Sequence, residues 1–447
     1  MDLEKEVFEE YKRQISENME YNKKGALAMK EYLEHSPIYW NGQVEKTLHI
    51  PKVYGRETLK YFQEIIDLSY RIFRKVINEY REAEDFRELF PFPDKLKELI
   101  LLQRQYNAVL PIARLDIFYN EENRDFTFCE INTDGAAAML RDLEGDRAYA
   151  MNPAHQEVIR KYRLRSFELF DSWVETFLNL YDKYENKCEH PNIAIVDYLN
   201  KATLRDMEEY LRRFQKAGVD CEICDVRTLK YENGKLYSDR GHRIDAIYRR
   251  AVTRDVLEYW DESEDFLKAV RDGAVFLAGA FETQIIHNKW LFHILRMDRT
   301  KKILSDDENA FVEAHVPGTW EFDPKDISLE EVRENREKYI LKPMDSYASK
   351  GIYAAGKEYS SEDWAALTEE LYKKGYLCQE YCPQYLTDNI DFIWGDGEFH
   401  PYMNMPGLYT FNGKLAGFLS RMAEGEHIIM AHENERTVPA YMVEGKI

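Results

Sequence analysis

The stretch LPIARLDIFYNEENRDFTFCEIN, residues 110–132, contains two apolar, strand-like runs separated by a polar segment. The runs are LPIARLDIFYN and DFTFCEIN, and the segment between them, residues 121–125, reads EENRD. A short polar segment between two such runs is typical of a hairpin connection. The stretch therefore predicts a pair of antiparallel strands, and the rest of the chain can be interpreted around it.

Four polar side chains occur on this predicted hairpin with a spacing of two. Because successive side chains of a strand point to opposite faces, Arg114 and Asp116 share one face of the first strand, and Glu130 and Asn132 share one face of the second. Pairing of the strands would bring a guanidinium and three oxygen-bearing side chains to one surface, which suits magnesium and a polyphosphate. A solvated strand pair with an ordinary Arg–Asp bridge would have the same pattern, so both interpretations stay open here.

The chain before and after the hairpin is predicted to be largely helical. Residues 1–105 carry apolar side chains at helical spacing, for example in FQEIIDLSY, residues 62–70. A further long helix is expected from about residue 152 to residue 184. The second unit, 106–188, would then combine the hairpin with this helix.

The second half of the chain is predicted to hold two more units. Residues 189–285 alternate strand, helix and strand in PNIAIVDYL, LRDMEEYLRRFQKAG, VDCEICDV and IDAIYRR, which predicts a small parallel sheet. No G-x-G-x-x-G follows the first of these strands, so a dinucleotide site is not expected there. Residues 286–447 mix strands with short helices. The predicted class is α+β with an α/β portion, in four units.

Bulk composition excludes several classes of protein. A chain of 447 residues exceeds what one hydrophobic core usually supports, so several units around one site are expected. The formal net charge of −21 argues against binding of nucleic acid, which needs basic surfaces. No apolar run is long enough to span a bilayer and the first residues are charged, so a cytoplasmic protein without membrane contact is expected. The pair Cys221-x-x-Cys224 lies in a strand-like run with no second pair nearby, which disfavours a zinc or redox site.

Two lysines follow apolar runs in the last unit. Lys289 occurs in IIHNKWLFHIL and Lys342 in YILKPMDSYASKGIY. A lysine that ends an apolar strand can place its ammonium on nucleotide phosphates. The residues after Lys342 are small and polar, among them Ser346, Ser349 and Gly351, and such a loop can fold its N–H groups over phosphates. The spacing is not that of a Walker A loop, and a single lysine before a proline is commonly a surface residue.

Two further motifs complete the candidate site. Gln379, Glu380 and Tyr381 form a short segment that could offer backbone groups to an adenine edge and an acidic side chain to ribose hydroxyls. Arg421 ends a glycine-bounded run that begins at Gly407, and it could bind a transferring phosphoryl group or a substrate carboxylate. A structural hairpin with one exposed arginine is the alternative for the latter.

Taken together, the motifs resemble the glutathionylspermidine synthase-like ATP-grasp family, which is close to the circularly permuted ATP-grasp proteins. The resemblance extends from about Pro111 to the C-terminus and rests on Arg114-x-Asp116, Glu130-x-Asn132-x-Asp134, Asn288-Lys289, Lys342-Pro343, Gln379-Glu380 and the segment from Gly407 to Arg421. It implies a permuted ATP-grasp fold, because the acidic motif precedes both lysines. It also implies a small pre-ATP-grasp-like domain with a parallel sheet and an N-terminal helical segment.

The resemblance also implies a role for each motif. Asp116, Glu130 and Asn132 would hold two magnesium ions, and Arg114 would stabilise the transferred phosphoryl group. Lys289 and Lys342 would bind the phosphates of ATP under a mobile loop, residues 345–351. Gln379 to Tyr381 would hold the adenine, and Arg421 would face the phosphoryl or acceptor side.

Two departures from the family concern the substrates. Asp134 is followed by Gly135-Ala136-Ala137 where the family tends to have Thr-Pro, and VPAYM, residues 438–442, lacks the histidine that relatives often carry after the proline. Both lie where substrate recognition is expected, so glutathione and spermidine are not assumed.

The implied activity is that of an ATP- and magnesium-dependent, ADP-forming ligase. It would activate a small-molecule or peptide carboxylate as an acyl phosphate and join it to an amine, and the acidic composition mildly favours a cationic amine. An ATP-grasp kinase that forms no amide and a catalytically inactive nucleotide-binding protein are the alternatives. The sequence does not indicate an oligomeric state.

Overall fold

The structure is a computed structural model that describes residues 3–39, 42–344, 351–354, 359–425, 428–430 and 433–447. It is a mixed α+β structure with several sheets. Its α-helices in these ranges are α1 (Leu3–Glu17), α2 (Met19–Glu34), α3 (Arg56–Glu82), α4 (Glu84–Arg87), α5 (Asp94–Ile100), α6 (Met139–Tyr149), α7 (Pro153–Val158), α8 (Phe170–Tyr181), α9 (Leu204–Lys216), α10 (Thr253–Glu258), α11 (Glu264–Arg271), α12 (Gln284–His287), α13 (Leu291–Arg296), α14 (Asp298–Lys301), α15 (Asp306–His315), α16 (Leu329–Glu334) and α17 (Ser361–Leu371).

The strands in the same ranges are mostly short. They are β1 (Lys52–Tyr54), β2 (Ile112–Tyr119), β3 (Phe126–Asn132), β4 (Tyr162–Ser166), β5 (Asn192–Asp197), β6 (Asp220–Asp225), β7 (Lys230–Glu232), β8 (Lys235–Tyr237), β9 (Arg243–Ile244), β10 (Ala246–Arg249), β11 (Phe276–Ala278), β12 (Thr319–Glu321), β13 (Tyr339–Pro343), β14 (Tyr353–Ala354), β15 (Tyr376–Glu380), β16 (Leu386–Ile390), β17 (Phe399–Phe411), β18 (Lys414–Glu424), β19 (Arg436–Val438) and β20 (Ala440–Lys446).

The predicted hairpin forms part of a six-stranded antiparallel sheet. Its order is β19-β18-β17-β2-β3, and β16 pairs with β17. Arg114 lies opposite Asn132 and Asp116 opposite Glu130, so the four polar side chains meet as the alternation predicts. The C-terminal strands complete the sheet, since β17 places Gly407 opposite Asp116. The amphipathic helix α3 packs below this sheet through residues such as Phe62.

The predicted parallel sheet is also present, in the order β11-β10-β5-β6. The inner strand β5 has an apolar centre, Ile193–Val196, which is fully buried. Apolar residues of α8 and α9 cover one face of the sheet, while those of α11 belong to the core cluster on the other. Burial on both faces explains the continuous apolar run in the sequence, which is typical of parallel strands.

A smaller antiparallel sheet, in the order β12-β15-β13-β14, carries Lys342 and Gln379. Apolar side chains of α16 and α17, including the buried Val332 and Trp364, pack against it. Gln379 and Glu380 lie on β15 itself, and the segment after Glu380 leads from this sheet to the six-stranded sheet.

The single long helix expected from about residue 152 to residue 184 is wrong. The segment instead contains α7, the strand β4 and α8. β4 pairs with β20 in a three-stranded sheet with β1. Because its partner lies near the end of the chain, tertiary pairing overrides the local pattern.

Two further features complete the description. Strands β7, β8 and β9 form a small separate sheet. In the ranges given above, every helix is too short or too polar to cross a membrane. The division of the chain into the units 1–105, 106–188, 189–285 and 286–447 stays a prediction.

Candidate functional site

A cavity of about 560 Å³ lies where the six-stranded, the parallel and the small antiparallel sheets meet. Its wall includes residues of β3, β13, β15 and β18, together with residues that follow β5 and β10. Clefts of this size between structural units are common ligand sites. The sequence-predicted residues that line it are Arg114, Glu130, Asn132, Lys289, Lys342, Gln379, Glu380, Tyr381 and Arg421.

Four predicted residues are placed differently or are not described. Asp116 is fully buried behind the wall of the cavity. Gly351 has a φ of +72° and lies beside Pro343 and Tyr376, next to the lining residue Ile352. Ser346 and Ser349 fall outside the described residues.

Asp116 is the centre of a buried charge cluster. Arg114 donates from Nε to Oδ1 at 2.7 Å and from Nη2 to Oδ2 at 2.9 Å. Arg421, on β18, also donates to Oδ2, and Asn132 donates to the same oxygen at 3.0 Å. Burial alone would lower the pKa of Arg114, but Asp116 raises it well above its ordinary value. The carboxylate therefore anchors two guanidiniums.

The packing around Asp116 leaves no room on its other side. A Cβ at position 407 would lie 2.5 Å from Asp116 Oδ1, which explains why a glycine faces it across the sheet. With its oxygens used by donors and no exposed surface, Asp116 does not present a ligand atom to the cavity.

Glu130 and Asn132 do present oxygens to the cavity. Asn132 Nδ2 donates to Glu130 Oε1 at 3.1 Å as well as to Asp116, so the amide oxygen is the atom that remains for a cation. Burial works to raise the pKa of Glu130, but the charges of Lys289, Arg421 and Arg114 outweigh it and lower the pKa below its usual range. Glu130 is therefore ionised at neutral pH.

Lys342 lies on β13, as predicted, and its ammonium is held in place. Nζ donates to Gln379 Oε1 at 2.6 Å, and Gln379 Nε2 donates to Thr319 Oγ1 at 2.9 Å. The amide of Gln379 thus connects Lys342 to the next strand. This contact fixes the position of the lysine, which is largely buried.

Lys289 does not end a strand. It lies between α12 and α13, so the prediction of a strand at this point is wrong. The run IIHNKWLFHIL is short and apolar throughout, and periodicity alone does not distinguish a strand from a buried helix in such a run. The charge of Lys289 is nonetheless close enough to lower the pKa of Glu130.

Glu380 and Tyr381 are held by the edge of the small sheet. Glu380 Oε2 accepts from Gly318 N at 2.6 Å, and Tyr381 N donates to Lys338 O at 2.8 Å. Apolar side chains, including Ile340 and Leu377, line the same part of the cavity. This part has the character of a slot for a flat ring with a polar edge.

A second charged part of the cavity was not predicted from the sequence. Its lining side chains are Arg141, Asp197, Lys201, Arg250, Arg254 and Asp255. Asp197 is the last residue of β5, and Arg250 directly follows β10. The sequence did contain a signal for these two residues, because they end predicted parallel strands and ligands commonly bind at the carboxyl ends of such strands.

The residues after Asp134 connect the hairpin to this second part. Asp134 accepts from Thr253 N at 2.6 Å and pairs with Arg249 at 2.8 Å. Gly135 has a φ of +67°, and a Cβ there would lie 2.7 Å from Arg250 O. A glycine is therefore required at position 135 by the close approach of the two chain segments.

No metal site is complete from protein groups alone in the described ranges. There, no group of three or more His, Cys, Asp or Glu side chains is arranged to hold an ion. Any magnesium bound at Glu130 and Asn132 would need further ligands from substrate or water.

Comparisons with known proteins bear on the fold. No protein-family model and no curated protein matches the chain. Among solved structures, a glutathione synthetase-like effector from Globodera pallida in its apo form is 13% identical, with a TM-score of 0.59, over 94% of this chain and 96% of that chain. A putative gamma-glutamylcysteine synthetase from Methylobacillus flagellatus KT is 11% identical over 88% and 90% of the two chains, with a TM-score of 0.45. A D-cycloserine synthetase is 15% identical over 56% and 75%, with a TM-score of 0.31.

The first of these similarities shows the fold. It covers nearly the whole of both chains, so this chain shares the overall fold of that structure.

Proposed function

We propose that this protein is an ATP- and magnesium-dependent ligase that joins a carboxylate to an amine through an acyl phosphate and releases ADP. The observation that carries the proposal is that two lysines, one glutamate and two arginines line the same cavity. Lys289 and Lys342 come from different parts of the fold, Glu130 lies beside them, and two arginines are anchored nearby. Within this proposal, the family is that of the glutathionylspermidine synthase-like, permuted ATP-grasp proteins, since Glu130 precedes both lysines in the chain.

The proposed nucleotide position follows from the chemistry of the wall. The adenine would lie between apolar side chains such as Ile340 and Leu377, beside Tyr381. Lys342, fixed by Gln379, and Lys289 would bind the phosphates. Charge-assisted hydrogen bonds of this kind are about twice as strong as neutral ones.

Glu130 and Asn132 fit magnesium, whereas Asp116 does not in this arrangement. Magnesium is usually held by one or two carboxylates together with phosphate oxygens and water, and an ionised Glu130 beside an amide oxygen meets that requirement. When bound there, the ion would neutralise charge on the phosphates. Asp116 would act through the arginines that it anchors.

The proposed reaction needs charge stabilisation and positioning from the protein. The substrate carboxylate attacks the γ-phosphorus and ADP leaves, which gives an acyl phosphate. The amine then attacks the acyl carbon, phosphate leaves, and the amine loses a proton. Arg114 and Arg421 would stabilise the charge on the transferring phosphoryl group, because preorganised cations that are largely removed from solvent are effective at such a site.

Covalent catalysis by a cysteine is disfavoured, although Cys129 and Cys382 line the cavity. Burial raises the pKa of the Cys129 thiol to about 12 and that of Cys382 to about 11. Both thiols are therefore protonated at neutral pH, and a thiol is a poor nucleophile compared with a thiolate.

A calorimetric titration with Mg·ATP and with a non-hydrolysable analogue tests the nucleotide site. We expect wild type to bind and Lys342→Met to bind about 10- to 100-fold more weakly, because a hydrogen bond to a charged group contributes about 1.5–3 kcal/mol. Glu130→Gln should weaken binding only when magnesium is present. Lys338→Met is the matched control, since Lys338 is an exposed lysine just before the same strand. Equal affinities in all four proteins would overturn the proposal.

A second assay distinguishes the ligase from its alternatives. The protein is incubated with Mg·ATP, a panel of carboxylates and hydroxylamine, which converts an acyl phosphate to a hydroxamate. A ligase gives ADP and a hydroxamate, a kinase acting on hydroxyl groups gives ADP alone, and an inactive protein binds ATP without releasing ADP. Either of the last two results would refute amide formation.

A further inference from the structure

The order of the parallel sheet marks a particular point on its carboxyl edge. The chain leaves β5 for β6 on one side and then crosses to β10 and β11 on the other side. Neighbouring strands β5 and β10 are therefore followed by connections that run in opposite directions. In open parallel sheets, ligands bind in the crevice outside the strand ends at such a point.

Asp197 and Arg250 stand at this point and both line the cavity. Their chain segments are joined directly, because Arg250 N and Ala251 N both donate to Val196 O, at 2.8 and 3.0 Å. An acidic and a basic side chain are thus presented side by side at the ends of adjacent strands.

Arg250 is buried and has a donor to spare. The residue is 4% exposed, and its guanidinium lies near the rings of Tyr210 and Tyr248. Nη1 donates to Ala136 O, but Nε has no hydrogen-bond partner in the described part of the chain. An unsatisfied buried donor on a charged group is costly. Because Arg250 also lines the cavity, its incompletely paired guanidinium can bind a ligand carboxylate there.

The carboxylate of Asp197 would instead be stabilised by a positively charged group of the ligand. Among the residues that the structure describes, one donates a hydrogen bond to this carboxylate, through Tyr198 N at 2.8 Å. The nearby Asp255, which is paired with Lys201 at 3.0 Å, adds negative charge. A ligand ammonium beside Asp197 would compensate a carboxylate that burial alone disfavours.

We propose that this edge of the parallel sheet binds an α-amino acid, with its carboxylate at Arg250 and its ammonium at Asp197. The site opens into the same cavity as Lys342 and Glu130, so the amino acid would be one of the two substrates of the proposed ligase. The inference rests on that proposed function for its role in a reaction, but binding itself can be measured without ATP.

The test is a calorimetric titration of the full chain with glycine, L-alanine, L-serine and L-glutamate, each with and without a non-hydrolysable ATP analogue. Ethylamine, N-acetyl-L-alanine and spermidine are the comparison ligands. We expect at least one amino acid to bind at least about tenfold more tightly than the ligands that lack one of the two charges.

Two variants test whether Asp197 and Arg250 bind the amino acid. Asp197→Asn and Arg250→Lys should each weaken amino-acid binding at least about tenfold. Asp225→Asn is the matched control, because Asp225 ends the neighbouring strand β6 but does not line the cavity. If Arg250→Lys does not fold, Asp197→Asn alone decides, since its main effect is to remove a charge.

The outcomes separate the two proposals. Failure of every amino acid to bind, tighter binding of ethylamine or spermidine, or unchanged binding in Asp197→Asn would overturn the amino-acid site and leave the nucleotide site untouched. Loss of Mg·ATP binding in wild type would overturn the ligase, even if an amino acid still binds.

Discussion

Replacement of Asp197 by asparagine is expected to stabilise the folded protein above pH 6. Burial raises the pKa of Asp197 from 3.8 to about 6; Arg250 and Arg249 oppose this effect and Asp255 adds to it. The folded state therefore binds a proton more readily than the unfolded state, so that ionisation of Asp197 costs stability at higher pH. Asparagine carries no charge and can still accept the hydrogen bond from Tyr198 N.

The magnitude follows from the shift. A difference of about 2 pKa units, at about 1.4 kcal/mol per unit, gives a penalty of about 3 kcal/mol when the carboxylate is fully ionised. The penalty is fully present above pH 6, falls to roughly half at pH 5 and is almost gone at pH 4. We therefore expect Asp197→Asn to raise the free energy of unfolding by about 1–3 kcal/mol at pH 8, with a smaller gain at pH 5.

Urea denaturation of both proteins at pH 8 and pH 5 measures this difference. Asp220→Asn, which removes an exposed carboxylate at the start of β6, controls for the loss of a charge. Asp197→Asn should also lose amino-acid binding, so stability and binding would change in opposite directions. A lower stability of Asp197→Asn at pH 8, or the same change at both pH values, would refute the reasoning.

Two further predictions concern buried contacts. Asp116→Asn should lower the free energy of unfolding by about 3–5 kcal/mol, because it leaves Arg114 and Arg421 without their carboxylate; a loss below about 1 kcal/mol in urea denaturation would contradict the anchoring role. Gly135→Ala should lower the thermal midpoint more than Gly218→Ala does. Both glycines have positive φ, which costs alanine about 1–2 kcal/mol, but only a Cβ at position 135 meets backbone, at 2.7 Å; equal losses would show that the contact with Arg250 is unimportant.

The elements that the sequence predicts well are those with a local signal. The hairpin has a polar turn and alternating side chains, and the parallel sheet has continuous apolar strands separated by a helix. The four polar residues of the hairpin therefore meet as expected. The strand β4 has no such signal, because it forms only through pairing with β20, far along the chain.

Many residues of the candidate site could be predicted from the sequence, but their contacts could not. Alternation places Arg114 and Asp116 on one face, but it does not reveal that Arg421 arrives from another strand and covers the carboxylate. Lys289 was found from its neighbours in the sequence, while its place between two helices depends on packing. Arg250 and Asp197 required the strand order, which only the structure provides.

The pairing of β2 with β17 has a consequence for synthesis of the protein. Gly407 lies opposite Asp116, and Arg421, 305 residues after Asp116, completes its charge cluster. At about 5–20 residues per second, a ribosome needs roughly 15–60 s to make the segment between these two residues. During that time, the growing chain carries an edge strand and an incompletely paired carboxylate. An exposed strand edge favours aggregation, and the six-stranded sheet can be completed only after its last strands have been released.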